Sequence, residues 1–269
     1  MSSSSAKAIP RFKTPIIETH CHLDYLEEAA LDAVLSRAAE SGVERIITIA
    51  VSPDNLERVT TIADAYPQVW CTQGIHPHEA AHWCGSVANQ IREGCANQKV
   101  VAIGEIGLDY YYEHSDRTAQ AQAFEAQLHL AAELDLPVVI HTRDADEDTR
   151  AILNNHSRSL RRRGVIHSFT SSLALAEFCL QEGFMLGFNG ITTFRNAENV
   201  RAVVAATPCE RVVLETDAPY LTPMPFRGKP NEPRYLPLIA EKVSEVLGMA
   251  TEDLLQQAHS NSQQLFFTP

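Results

Sequence analysis

Eight short apolar runs rich in β-branched residues punctuate the chain, at residues 16–19, 45–51, 69–74, 100–105, 137–141, 165–168, 184–189 and 212–217. Most do not alternate strictly between apolar and polar positions. That pattern suits strands covered on both faces, as in a parallel sheet. Between them lie stretches of helical period. Residues 27–40 carry Ala30, Leu31, Val34, Leu35 and Ala38, spaced three and four apart. Ser52 as N-cap and Pro53 as first helical residue predict the start of the next helix. Residues 118–134, 172–181, 197–206, 237–247 and 251–267 complete the series, with shorter helices at 88–95 and 146–155. No Pro/Gly-rich linker interrupts the alternation. It predicts an α/β protein, a (β/α)8 TIM barrel, with an open doubly wound sheet as the competing arrangement. A single barrel domain is expected over residues 14–269. Residues 1–13, with four serines and no apolar core, are expected to be a flexible tail, neither signal peptide nor anchor.

The chemistry gathers where these runs end. The first leads into His20 and His22, the fourth into Glu105, the fifth into His141, the sixth into His167 and the eighth into Asp217. On a strand, His20 and His22 share one face, with Cys21 opposite. A strand-end histidine taken alone is usually a hydrogen-bonded polar residue. In a barrel, however, all strand carboxyl ends converge on one mouth. Four imidazoles and two carboxylates meeting there exceed the needs of one ion. They predict two divalent cations with Glu105 as the bridge. Mixed imidazole and carboxylate donors suit Zn²⁺, Mn²⁺, Fe²⁺ or Co²⁺, and the carboxylates also accept Mg²⁺.

Other residues are expected nearby. His76, in Gly74-Ile75-His76-Pro77-His78, follows the third run and is expected to brace a ligand or touch substrate. Arg143, two residues past His141, suits an anionic oxygen, or a pairing with Glu215 or Asp146. Tyr110 and Tyr111 suit either stacking on a base or core packing. The Pro/Gly-rich stretch 223–233 reads as a substrate loop carrying Arg227, Lys229 and Asn231.

A net charge of −12 argues against a sequence-independent grip on long nucleic acid. It does not exclude a nucleic-acid substrate, because cations can bring positive charge into a pocket. No apolar run reaches the roughly 18 residues that a membrane helix needs. Six cysteines without Cys-x-x-Cys spacing suggest reduced thiols in a cytoplasmic protein, with Cys71, Cys179 and Cys209 in the core. A monomer without a stable protein partner is the expectation.

The motifs also carry a resemblance. They are Glu18-Thr19-His20-Cys21-His22-Leu23-Asp24, Gly74-Ile75-His76-Pro77, Gly104-Glu105-Ile106-Gly107-Leu108-Asp109, Pro137-Val138-Val139-Ile140-His141-Thr142-Arg143, His167-Ser168-Phe169, Glu215-Thr216-Asp217-Ala218-Pro219-Tyr220-Leu221 and Arg227-Gly228-Lys229-Pro230-Asn231-Glu232-Pro233. Across residues 16–267 the chain resembles the TatD family of metal-dependent deoxyribonucleases, within the amidohydrolase-like barrels. The resemblance implies that His20, His22, Glu105 and Asp217 hold one metal, and Glu105, His141 and His167 the other. Glu18 stands where that family usually has Asp. The implied activity is ester hydrolysis at nucleic-acid ends: a 3′→5′ exonuclease on single-stranded DNA or RNA, or alternatively a D-aminoacyl-tRNA deacylase or another metal-dependent ester hydrolase. In the exonuclease reading Asp217 and Glu105 are the catalytic carboxylates, and His76, Arg143, Arg227 and Asn231 contact the substrate. A non-catalytic binding protein on an enzyme fold is the third reading, opposed by the complete ligand set.

Overall fold

The computed structural model describes residues 8–26 and 28–268. Its strands are β1 (Ile16–Cys21), β2 (Val43–Thr48), β3 (Val69–Gln73), β4 (Val100–Asp109), β5 (Val138–Arg143), β6 (Gly164–Ile166), β7 (Met185–Phe188) and β8 (Val212–Leu214). Between and after them come α1 (Glu28–Glu40), α2 (Leu56–Ala65), α3 (Gly85–Gly94), α4 (Arg117–Leu134), α5 (Asp146–His156), α6 (Leu173–Gln181), α7 (Glu198–Ala206), α8 (Leu236–Leu247) and α9 (Thr251–Ser262). The strands pair in chain order from β1 to β8, all parallel. The open sheet is therefore excluded, and the barrel stands.

Away from the mouth the strands are largely apolar on both faces because each face meets a different layer. Val139, Val165, Met185 and Val213 point inward, where Leu265 and Phe266 join them from the turn after α9. Their neighbours Ile140, Ile166, Leu186 and Leu214 point outward into the helical layer. By the period of two, the next inward positions past Val139 and Val165 belong to His141 and His167. The apolar plug thus lies beneath the mouth, and the polar residues lie above it.

The barrel closes without a regular ladder between β8 and β1. The segment just after β8 does it: Asp217 N donates to His20 O at 2.9 Å, and His22 N donates to Ala218 O at 2.7 Å. Thr19 Oγ1 adds a bond to Leu214 O at 3.1 Å.

Several boundaries differ from expectation. β4 does not end at Glu105 but runs on to Asp109, with a register shift against β5 between Gly104 and Ile106. Ser52 and Pro53 do not open α2. The Asn55 side chain accepts from the backbone N–H of both Val51 and Ser52, holding them in a turn, and the helix begins at Leu56. Glu27, expected to begin α1, and residues 1–7 of the expected tail lie outside the described residues. The remainder of that tail is tied to the body: Arg11 Nε donates to Glu40 O, and Lys13 N donates to Glu252 at 2.7 Å. No helix among the described residues is long and apolar enough to cross a membrane.

Candidate metal centre

The mouth of the barrel gathers the residues that the strand ends nominate. His20 Nε2 is 3.4 Å from Glu105 Oε2 and 3.6 Å from Asp217 Oδ1, and His22 Nε2 is 3.4 Å from the same Asp217 oxygen. On the other side of the carboxylate, Glu105 Oε1 is 3.0 Å from His141 Nδ1 and 2.9 Å from His167 Nε2. The His20 and His167 rings stack at 3.7 Å, nearly parallel. Three overlapping groups of donor atoms result: His20 with His22 and Asp217, His20 with Glu105 and His167, and His76 with Glu105 and His141.

These residues fit a metal. His20 Nε2 is buried without a hydrogen-bond partner while facing two carboxylates. Donor atoms that share one cation at about 2.1 Å in tetrahedral array stand roughly 3.4 Å apart. The observed separations of 3.4 and 3.6 Å match that spacing.

The charge pattern follows from this crowding. Burial opposes ionisation of Glu105, but the imidazoles of His167, His76 and His20 outweigh it and hold its pKa well below the usual carboxylate range. Asp217 behaves likewise: burial raises its pKa, while the bond from His22 and the nearby His20 and His167 bring it down. Burial and the neighbouring His167 lower the pKa of His20, keeping it neutral. Burial opposes protonation of His167 and His141 too. Glu105 and Glu215 overcome it at His167, and Asp109 and Glu105 at His141, so both pKa values rise.

Behind the cluster, carboxylates fix the rings. Asp109 Oδ2 lies 3.2 Å from His141 Nε2, leaving Nδ1 for Glu105. Glu215 Oε1 lies 3.4 Å from His167 Nδ1 and accepts from Ser168 N at 2.5 Å. A carboxylate behind a ligating imidazole sets its tautomer and raises its basicity. Gly187 makes room for Glu215, since a Cβ there would lie 2.5 Å from Glu215 Oε2. Glu18 is fully buried, and Oε1 accepts from His20 N at 3.1 Å and Thr216 N at 2.9 Å. Burial pushes its pKa up to about 8. The longer acid thus spans the closing seam of the barrel and leaves the imidazoles to other partners.

The expected substrate residues divide. His76 enters the cluster, with Nε2 3.4 Å from Glu105 Oε1. Its Nδ1, however, accepts the backbone N–H of His78 at 3.1 Å. Burial lowers its pKa to about 4, so the ring is neutral. A neutral ring that accepts at Nδ1 carries its proton on Nε2 and faces Glu105 as a donor. Arg143 pairs with neither Glu215 nor Asp146. Its Nε donates to Asp109 at 3.0 Å, and Nη2 reaches the same oxygen. Arg227 is exposed, with its guanidinium 4.2 Å from the Phe194 ring. Asn231 has a different place from the one expected. It is 1% exposed, and its amide donates to Thr216 O and Tyr220 O, so it braces the loop that carries Asp217. Tyr110 bonds Asp148 through its hydroxyl at 2.5 Å, whereas Tyr111 stands in solvent.

Asp109 and Glu215 escaped the strand-end reading. A signal existed for Asp109: at the strand period it shares a face with Glu105, four residues on. It then gathers His78, His141 and Arg143, and Oδ1 accepts from the backbone N–H of Tyr111 and Tyr112.

Comparison with known proteins agrees with this geometry. The family model of TatD-related DNases matches residues 17–267. The "uncharacterized metal-dependent hydrolase YabD" of Bacillus subtilis is 37% identical over 252 residues, covering 93% of this chain and 98% of that one. The 3′-5′ ssDNA/RNA exonuclease TatD of Erwinia tasmaniensis is 38% identical over 241 residues, covering 87% and 93%. The crystal structure of YjjV, a TatD homologue from Escherichia coli K12, superposes with a TM-score of 0.89 at 33% identity, covering 94% and 98%. With its barrel, its buried His/Glu/Asp cluster and these relatives, the chain belongs to the TatD family of metal-dependent hydrolases.

Proposed function

We propose that the protein is a 3′→5′ exonuclease acting on single-stranded DNA or RNA, with two divalent cations at the barrel mouth. The observation that carries this reading is the division of one carboxylate between two donor sets. Glu105 Oε2 faces His20, while Oε1 faces His141 and His167. The 38% identical exonuclease from Erwinia tasmaniensis supports the choice of substrate. His20, His22, Glu105 and Asp217 would hold one cation, and Glu105, His141 and His167 the other. When bound, such ions polarise a phosphoryl oxygen and acidify the attacking water.

The chain's own groups do the remaining work. Asp217 is the more open of the two central carboxylates, 14% exposed against 3% for Glu105. Ionised and at the rim of the cluster, it is placed to take up the proton of the attacking water. His76, fixed as a donor by the His78 amide, offers its Nε2 proton to an oxygen of the substrate beside Glu105. Arg143, locked by Asp109 yet partly open to solvent, presents the rest of its guanidinium to a phosphate. Arg227 contributes charge farther out on the rim.

The test is digestion of a 5′-labelled single-stranded oligonucleotide with Mg²⁺ or Mn²⁺, beside a D-aminoacyl-tRNA control. Stepwise shortening from the 3′ end, abolished by EDTA and reduced at least a hundredfold in Asp217→Asn, is the expected result (roughly the range for a lost acid–base group). Release of amino acid without any shortening would transfer the site to carboxylic esters.

A further inference from the structure

The large apolar side chains exposed among the described residues are Tyr25, Tyr111, Tyr112, Leu173, Tyr220 and Met224. All lie on, or at the end of, connections leaving the carboxyl ends of strands, the face that holds the metal cluster. The four tyrosines form two pairs. Tyr25 follows β1 and Tyr220 follows β8, with rings 6.2 Å apart. Tyr111 and Tyr112 follow β4, with rings 4.7 Å apart. In a barrel of eight strands paired in chain order, the β1/β8 seam and β4 stand on opposite sides.

Each pair is tied to one half of the cluster. The Tyr25 ring stacks on His22 at 4.9 Å and 11°. The Arg143 guanidinium lies 4.4 Å from the Tyr112 ring and 5.4 Å from that of Tyr111, and Asp109 holds both Arg143 and His141.

We infer that the two tyrosine pairs are base-stacking platforms that receive the unstacked bases on either side of the scissile phosphate. The inference rests on the reading of the site as one for single-stranded nucleic acid. A chain of net charge −12 cannot draw much affinity from phosphate pairing. Stacking supplies affinity without cationic surface and without choosing among bases, since every base has a π-face. A protein partner would want one contiguous apolar patch. Here a buried polar cluster separates the two pairs. The spacing also sets a path across the mouth: the strand passes from one pair to the other over Glu105.

Anisotropy of a 5′-fluorescein-labelled oligothymidylate, titrated with metal-free protein in EDTA, tests the platforms apart from the reaction. Tyr112→Ala and Tyr220→Ala should each weaken binding by about tenfold, and Tyr112→Phe and Tyr220→Phe by no more than about twofold. An oligonucleotide of abasic residues, which loses both platforms at once, should bind the parent protein more weakly than either alanine variant binds oligothymidylate. Alanine variants that bind like the parent overturn the platforms, even if the parent trims the strand. The expected binding pattern with no trimming in Mn²⁺ leaves the platforms standing and overturns the exonuclease reading instead. If the same alanine variants dissociate a dimer in sedimentation and leave oligonucleotide binding unchanged, the tyrosines join copies of the chain and the platforms are overturned.

Discussion

Asp109 Oδ2 lies 3.2 Å from Nε2 of His141, on the side of the ring away from the Nδ1 that faces Glu105. One buried carboxylate therefore fixes which nitrogen of His141 is free. The same oxygen holds Arg143, so His141 and Arg143 share one anchor. Asp109→Asn replaces part of that acceptor with a donor facing the nitrogens of His78, His141 and Arg143. Cation affinity should fall about 10–100-fold, the usual cost of losing a group behind a ligand. Calorimetric titration with Mn²⁺ measures it, and unchanged affinity would detach Asp109 from the site.

Cation binding should release protons. His141 and His167 both have raised pKa values, so without a cation they stay protonated to a higher pH than a free imidazole. A cation must displace those protons. Its apparent affinity should therefore fall as pH drops through neutrality. Titrations in buffers of different ionisation enthalpy should give different apparent heats. Heats independent of the buffer would count against both histidines as ligands.

Glu18→Gln and Glu18→Ala should separate cleanly. Glutamine keeps the side-chain oxygen that accepts from His20 N and Thr216 N. Alanine leaves both buried donors unpaired, at about 1–3 kcal/mol each. Thermal or urea unfolding should show Glu18→Gln close to the parent and Glu18→Ala several kcal/mol less stable on that count. Equal stabilities would remove Glu18 from the seam.

Glu252 gives the N-terminal segment an acid-sensitive tie. Bonds from the Lys13 backbone and the Thr14 side chain lower its pKa from the ordinary carboxylate value. A folded pKa below the unfolded one means that the tie is fully present above the unfolded value. It is lost as pH falls through the folded value. The Thr14 amide also donates to Glu252, at 3.2 Å, and its hydrogen exchange, corrected for the intrinsic rate, should lose protection as pH falls below the ordinary carboxylate range. Glu252→Gln should weaken the protection at neutral pH and abolish its acid dependence.

How much of this was legible beforehand depends on the range over which each signal acts. The barrel was legible because the short, β-branched runs of β5, β6 and β8 are apolar on both faces, unlike a half-exposed strand, and they alternate with longer amphipathic segments. Histidine and carboxylate at the ends of those strands then named the cluster. Side chains whose surroundings come from distant segments were harder to read. Asn231 has the composition of a loop contact, but Thr216 and Tyr220 bury it. His76 reads in sequence as a brace for a ligand or a substrate contact, but the tautomer that the amide of His78 imposes is not legible there. The Ser52-Pro53 pair carries a good local start signal, and the side chain of Asn55, three residues on from Ser52, overrides it.

The seam has a consequence in time. Bonds that close the barrel reach from Thr216, Asp217 and Ala218 back to Glu18, His20 and His22, the Thr216–Glu18 bond joining residues 198 positions apart. A chain leaving the ribosome exposes two imidazoles early and their carboxylate partner last. Every shorter nascent chain holds an unfinished cup, with its first wall waiting for its last. Completion of the cluster therefore comes late, and a truncation ahead of residue 217 leaves it without Asp217.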